Sequence, residues 1–123
     1  MSLRSPLGRV LGSGSAKEGV DHWWWQRLTA VALVPLGIWF VVAVISLVGA
    51  GHAEARAWAA APVNMVLLIA FTAALLHHAQ LGLQVVIEDY VHNEAWKLAG
   101  LLAIKFLAAL AFIWVVVMLF SAS

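Results

Sequence analysis

The sequence predicts an all-α integral membrane protein, built as a bundle of three transmembrane helices. Of its 123 residues, 64% are hydrophobic and the mean hydropathy is +0.96, whereas a soluble domain is about half apolar. A chain this short cannot bury so much apolar surface in a core of its own. Because backbone groups in lipid must satisfy their own hydrogen bonds, the long apolar runs are predicted to be helices rather than strands.

These apolar runs organise the chain as a single domain of residues 1–123. Residues 1–20, with four glycines and several serines, are predicted to form a flexible cytoplasmic arm. Helices are predicted at about 27–49, 62–88 and 97–120, each long enough to cross a hydrocarbon core of about 30 Å. The first run exceeds the roughly 7–15 apolar residues of a secretory signal, which favours a retained helix. The sequence contains no cysteine, which excludes a disulfide framework and a thiolate metal cluster.

Positive charge predicts the orientation of the bundle. The N-terminal flank and the second loop together carry five Lys and Arg residues, whereas the first loop carries only Arg56. An excess of Lys and Arg marks the cytoplasmic side of a membrane protein. The N-terminus is therefore predicted to be cytoplasmic and the C-terminus periplasmic. The five residues are Arg4, Arg9, Lys17, Arg27 and Lys97.

Two adjacent histidines interrupt the second apolar run, which reads LLHHAQLGLQVVIEDY at 75–90. His78 lies ten residues before Glu88, about 15 Å from the cytoplasmic surface and close to the bilayer midplane. An ionisable group at that depth is costly and by default marks a functional site or a polar partner. An imidazole there is suited to hydrogen bonding, to proton transfer or to axial ligation of a metal.

Helical spacing separates the two histidines. His78, Gly82 and Asp89 fall on one stripe of the helix, while His77 and Glu88 lie on a neighbouring stripe rotated by about 100°. Gly82 has no side chain one turn from His78, which leaves room for a flat macrocycle beside the backbone. The spacing favours His78 as a haem ligand and leaves His77 to bond a neighbouring helix or a propionate. The alternative is that both histidines only bond between helices, without a cofactor.

No second histidine occurs at midplane depth in the other two predicted helices. A six-coordinate haem needs a second axial ligand, commonly His or Met. If His78 ligates a haem, its counterpart is therefore predicted to come from another chain, and this sequence supplies half of the site. The remaining histidines, at membrane surfaces or in loops, are His22, His52 and His92.

Two stretches of the sequence resemble one protein family. GVDHWWWQRLTAVAL at 19–33 and HAQLGLQVVIEDY at 78–90 are similar to the hydrophobic membrane anchor subunit of succinate dehydrogenase (complex II). The resemblance is to the smaller anchor with the H-x10-D-Y signature. The His-Arg-x-Ser/Thr-Gly motif of its cytochrome b556 partner is absent from this sequence. The resemblance covers essentially the whole chain, including three helices with the N-terminus inside.

The resemblance implies roles for four residues. The family's axial haem histidine, eleven residues before the Asp of Asp-Tyr, falls on His78. The tyrosine that hydrogen-bonds a quinone carbonyl falls on Tyr90, and the acid before it is Asp89. The arginine near the haem propionates and the quinone pocket is Arg27. An ion pair between Asp89 and Arg27 is expected to hold the tyrosine and the first helix in register.

The chain departs from the family pattern at the start of the first motif. A Gly-Val-His-His sequence in bacterial relatives reads Gly-Val-Asp-His here, so Asp21 replaces a histidine. A quinone or propionate contact expected at that position is assigned instead to the neighbouring His22.

The resemblance also implies a complex. In the family a flavoprotein subunit oxidises succinate, an iron–sulfur subunit carries the electrons, and two anchors hold haem b between them and shape the site of ubiquinone reduction. The chain is then a non-catalytic subunit of the bacterial inner membrane, in contact with the lipid bilayer and with no nucleic acid. An apolar slot with a tyrosine donor at the water's edge suits quinone reduction, because the reaction consumes protons. The alternatives are the anchor of a quinol:fumarate reductase and a haem-free assembly or transport subunit.

The other polar and small residues in the apolar runs are predicted to be structural. Lys105 is expected to snorkel toward the cytoplasmic face in preference to a haem propionate contact. Asn64 and Thr72 are expected to hydrogen-bond between helices. Gly37 and Gly100 are expected to allow close helix approach.

Overall fold

The computed structural model describes the backbone of residues 6–123 and the side chains of residues 20–123. Within that part the chain is helical, with no strand. Three helices are long and apolar enough to cross a membrane, namely the second part of α1, α3 and α4. The predicted all-α class with three transmembrane helices is therefore confirmed. The helices are α1 (Pro6–Ser46), α2 (His52–Ala60), α3 (Pro62–Tyr90) and α4 (Glu94–Ala122).

Helix α1 begins much earlier than predicted. It starts at Pro6, so residues 6–20, which were predicted to be a flexible arm, are helical. Proline is compatible with the first turn of a helix, and extending an existing helix adds one hydrogen bond for each residue fixed. That gain continues the helix of the apolar span despite the cost of about 1 kcal/mol for each glycine. Residues 1–5, including Arg4 of the N-terminal flank, lie outside the described residues.

The connection between α1 and α3 contains a short helix that the sequence pattern did not predict. Gly49, at φ +84°, reverses the chain after α1, a conformation that glycine adopts at little cost. Helix α2 then lies against the end of α4. Arg56 donates from Nε to the carbonyl of Ala122 (3.2 Å) and from Nη2 to that of Ser121 (2.8 Å). These carbonyls lie in the last turn of α4, where a cation is favourable.

Helix α3 occupies the centre of the bundle. It packs against both α1 and α4, whereas α1 and α4 make no close backbone contact with each other within the described part of the chain. On the α1 side, Phe40 stacks on Phe71 with ring centroids 5.0 Å apart. On the α4 side, a Cβ added to Gly100 would lie 3.4 Å from Ile87 Cδ1. The outer helices therefore lie on either side of α3 and leave a groove between them.

The bundle buries very little of its own apolar surface. Among residues 20–123, the buried apolar side chains are Ala43, Met65 and Leu81. Large side chains are open on all three spans, as Val31 at 71% and Trp114 at 70% illustrate. Apolar surface of this extent requires cover by lipid or by another chain. The helices are built for a membrane rather than for a water-soluble core.

The structure bears on four of the predictions for small and polar structural residues. Asn64 donates from Nδ2 to the carbonyl of Trp58 at 3.0 Å, linking α3 to α2 as expected. Gly100 lies against Ile87 as expected. Thr72 was predicted wrongly, because its hydroxyl donates to the carbonyl of Leu68 in its own helix at 2.8 Å. Gly37 has no close neighbour within the described residues, since an added Cβ there would meet nothing within 4 Å, so the predicted close approach is not made within this chain.

Candidate functional site

A hydrogen bond across the α1–α3 contact holds His78. Its Nδ1 lies 3.0 Å from the hydroxyl oxygen of Thr29, a residue of α1 with only 6% of its surface exposed. The same hydroxyl lies 2.7 Å from the carbonyl oxygen of Trp25 and 3.1 Å from that of Gln26. Among residues 20–123, Thr29 is the polar residue that is buried. Its side-chain contact with another helix is the one to His78.

His77 has different surroundings from its neighbour. Its ring meets Trp25 of α1 edge-on, with centroids 5.4 Å apart and planes at 85°. Its Nε2 is buried and has no hydrogen-bond partner among the described residues, and the same holds for Gln26 Oε1. Buried polar atoms of this kind are rare in folded chains and point to a group not contributed by the chain itself. The two adjacent histidines therefore differ in both neighbours and bonding.

The groove between the outer helices has a volume of about 760 Å³. Helix α3 forms its floor, and α1 and α4 form its walls. Most of the lining is apolar, with Ala, Leu, Phe and Trp side chains. A volume of this order is in the range of small-molecule sites, which are mostly apolar with a few placed polar groups. The polar residues lining it are Thr29, His77, Gln80 and Lys105.

The surroundings of His78 fit a single axial haem ligand. In a neutral imidazole one nitrogen carries the proton, and a hydrogen bond at Nδ1 leaves Nε2 as the atom for a metal. One turn along α3, a Cβ added to Gly82 would meet nothing within 4 Å. The backbone beside His78 is therefore open, as a flat macrocycle would need. One histidine from one chain agrees with a site completed by a partner.

The second group of predicted site residues lies at the end of α3. Tyr90 is 77% exposed, and Glu88 and Asp89 are also exposed. Glu88 accepts a hydrogen bond from Gln84 Nε2 at 3.1 Å, as expected of a solvated helix end. Tyr90 lies twelve residues beyond His78, about 18 Å along the helix axis. Its phenol is open to groups outside the chain.

Arg27 lies nearer in depth to His78 than to the end of α3. Helices α1 and α3 run antiparallel, and Thr29 and His78 meet at one level. Counting residues from that level places Arg27 about 3 Å and Asp89 about 16 Å toward the same end of the bundle. The two residues are therefore about 13 Å apart along the axis, too far for a salt bridge.

The predicted pair between Arg27 and Asp89 is wrong. The Arg27 guanidinium instead lies over the ring of Trp23, 5.4 Å from its centroid, in a cation–π contact one turn away on α1. The ion pair found among residues 20–123 joins Lys97 and Glu94 at 3.6 Å. His22, next to Trp23 in the sequence, is half-buried on α1. The predicted site residues thus form a deep group and a surface group rather than one cluster.

The sequence pattern missed Thr29. It stands two residues after Arg27 in the stretch WQRLTAV. A threonine inside an apolar span commonly hydrogen-bonds its own helix or a neighbouring one. That signal was available, but the sequence alone does not reveal which helix supplies the partner.

The chain is similar to proteins of one family over nearly its whole length. The family described as succinate dehydrogenase/fumarate reductase transmembrane subunit matches residues 1–120. A succinate dehydrogenase hydrophobic membrane anchor subunit of Rickettsia bellii (strain RML369-C) is 30% identical over 119 residues, which cover 96% of this chain and 94% of the relative. No solved structure matches the chain significantly.

Two further relatives come from other organisms. The succinate dehydrogenase hydrophobic membrane anchor subunit of Paracoccus denitrificans is 28% identical over 106 residues, covering 86% of this chain and 82% of the relative. The succinate dehydrogenase membrane anchor subunit of Porphyra purpurea is 32% identical over 104 residues, covering 85% and 84%. The similarity therefore includes both the segment of Thr29 and that of His78.

Proposed function

We propose, proceeding from the fact that this chain belongs to the succinate dehydrogenase/fumarate reductase transmembrane subunit family, that it binds haem b together with a second anchor and helps to form a ubiquinone-reduction site. As a membrane anchor subunit it crosses the bilayer with three helices. The chain carries out no chemistry on succinate itself. Its part is to hold a redox group and a quinone within reach of soluble partner subunits.

His78 is the residue assigned to the haem iron. Its hydrogen bond to Thr29 and the open backbone at Gly82 support the assignment. Arg27, about 3 Å in depth from this level, is assigned to the propionates. A haem ligated from two sides supplies one-electron transfer when bound. A cytochrome b556 subunit would supply the second ligand to the iron.

Tyr90 is the residue assigned to the quinone. A phenol O–H donates a hydrogen bond to a carbonyl, and the exposure of Tyr90 at the end of a predicted membrane span supports a donor at the membrane edge. Quinone reduction consumes protons, so a site open to water is required. Asp89 next to Tyr90 and His22 on α1 are assigned supporting roles, since both are polar groups near that edge.

The remaining assignments concern the assembly. The relatives of Rickettsia and Paracoccus are named as succinate dehydrogenase subunits, which favours succinate oxidation over fumarate reduction. We assign an iron–sulfur and a flavoprotein subunit as the soluble partners and the bacterial inner membrane as the location. The excess of Lys and Arg at the N-terminal flank supports a cytoplasmic location for that end and for the soluble partners.

The observation that carries the proposal is the part-buried hydrogen bond between Thr29 and His78, which joins the two stretches that carry the family resemblance. The test is a reduced-minus-oxidised optical spectrum of the complex purified with its partner subunits. We expect the band of a bis-histidine haem b, lost in His78→Ala and kept in His77→Ala. An intact complex without haem would contradict the proposal and favour a haem-free subunit whose histidines only pack helices.

A further inference from the structure

We infer that Thr29 is a positioning residue for His78: its hydroxyl oxygen accepts the Nδ1–H of His78 and so fixes the tautomer and the orientation of the ring. The inference rests on the proposed function, because its consequence is a bare Nε2 available to the haem iron. It concerns a residue on a different helix, 49 positions away along the chain.

The distances around the Thr29 hydroxyl decide the direction of the bond. The hydroxyl has one hydrogen to give, and the carbonyl of Trp25 at 2.7 Å lies at the usual O–H···O distance of about 2.7–2.8 Å. The contact to His78 Nδ1 at 3.0 Å lies at the usual N–H···O distance of about 2.9–3.0 Å. The hydroxyl therefore donates within its own helix and accepts across the α1–α3 contact.

Burial makes this bond effective as a constraint. Thr29 is 6% exposed, in a membrane span where the local dielectric is low. Hydrogen bonds in such surroundings are electrostatically stronger than in water, and leaving one unmade is costly. His77 provides the contrast on the same helix, since its Nε2 is buried without a partner. Of the two imidazoles, the structure orients the one at position 78 by a hydrogen bond.

A metal-binding histidine generally has a hydrogen-bond partner at the ring nitrogen that does not bind the metal. Such a partner sets which nitrogen is free, holds the ring and makes the ligand more basic. Its removal typically costs about 10–100-fold in metal affinity. A hydroxyl is a weaker acceptor than a carboxylate, so we expect an effect of about tenfold.

The test compares Thr29→Val, Thr29→Ser and Thr72→Val in the complete complex. Thr72 is the matched control, because its hydroxyl makes the same bond within its own helix, to Leu68 at 2.8 Å, without a histidine partner. The readouts are the rate of haem loss to a haem-scavenging protein, the haem midpoint potential and the low-spin electron paramagnetic resonance signal.

Thr29→Val is expected to lose haem about tenfold faster than wild type. Its midpoint potential is expected to rise, because a less basic imidazole stabilises ferric iron less. Thr29→Ser keeps the hydroxyl and is expected to match wild type, as is Thr72→Val. If the valine complex does not assemble, Thr29→Ala removes the same acceptor without added bulk and takes its place.

The inference would be overturned if Thr29→Val or Thr29→Ala left the rate of haem loss, the haem midpoint potential and the resonance signal unchanged. Equal changes in Thr29→Ser and Thr29→Val would also overturn it, because the hydroxyl would then not be the active group. Failure of the proposed function is distinct, since the wild-type complex itself would then contain no haem.

Discussion

On its α1 side, helix α3 makes a part-buried hydrogen bond and aromatic contacts, whereas on its α4 side it makes a close apolar approach. The first contact, the α1–α3 seam, includes Thr29 with His78 and Phe40 with Phe71. The second, the α3–α4 seam, includes Ile87 with Gly100. In lipid the hydrophobic effect does not drive helices together. Van der Waals packing of this second kind can hold two spans together instead.

The α3–α4 seam shows that two spans of this chain pack together without a side-chain hydrogen bond between them among residues 20–123. A polar group buried in a membrane span is costly and needs a reason other than packing. The orientation of His78 supplies that reason. We therefore expect the α3–α4 seam to respond to changes in shape, and the α1–α3 seam to respond to changes in hydrogen bonding as well.

The largest expected effect is on the α3–α4 seam. Gly100→Leu should lower the free energy of unfolding of the chain in bicelles by about 2 kcal/mol, because the new side chain overlaps Ile87. The matched control is Gly37→Leu, where an added Cβ meets nothing within 4 Å and helix propensity improves. Denaturant titration or steric trapping measures both. Equal losses at the two glycines would show that close approach is not what holds this seam.

Tyr90 lies outside both seams, so a change there should lower quinone reductase activity without changing the packing of the helices. Tyr90→Phe removes one hydrogen-bond donor, and a loss of about 1.4 kcal/mol corresponds to a tenfold lower quinone reductase activity. The haem spectrum should not change. Trp96→Phe is the control, since Trp96 is 72% exposed at the start of α4, close to the 77% of Tyr90. An equal loss of activity in both variants would identify Tyr90 as a membrane-interface anchor.

On the α1–α3 seam, the aromatic contact can be separated from the hydrogen bond. Phe71→Leu should cost about 1 kcal/mol, the usual contribution of an aromatic pair, because it removes the stacking on Phe40. Phe106→Leu, at a side chain 66% exposed on α4, should change stability by less. Haem binding in the assembled complex should be kept, because His78 is two turns away. Loss of haem in Phe71→Leu would mean that the stacked rings, and not Thr29 alone, orient the ligand.

The sequence was sufficient to predict the three spans and the depth of His78, because both follow from length and hydropathy along one helix. It was not sufficient to predict which neighbour each face contacts. The spans are apolar all round, so periodicity does not identify the buried face as it does in a soluble helix. The contact between Thr29 and His78 depends on the relative rotation and shift of two helices, which no local pattern encodes.

The failed pair of Arg27 and Asp89 has the same origin. Both residues were expected near the cytoplasmic surface, and each is polar at the end of an apolar run. The level at which Thr29 meets His78 sets the shift of α1 along α3 and separates the two charges by about 13 Å. Helix α2 was missed for another reason, since nine residues of mixed polarity are too short to stand out by periodicity.

The smallest expected effect concerns Lys105, on the α4 wall of the groove. Lys105→Met keeps an apolar stem and removes the charge. We expect the free energy of unfolding to change by less than about 0.5 kcal/mol, with the haem midpoint potential and quinone reductase activity at wild-type values. Arg27→Gln is the matched comparison on the α1 side and should change the midpoint potential, since Arg27 lies about 3 Å in depth from His78. A shifted midpoint potential in Lys105→Met would show that a cation on α4 lies close to the haem. Polar residues that influence the haem would then lie outside the α1–α3 seam as well as within it.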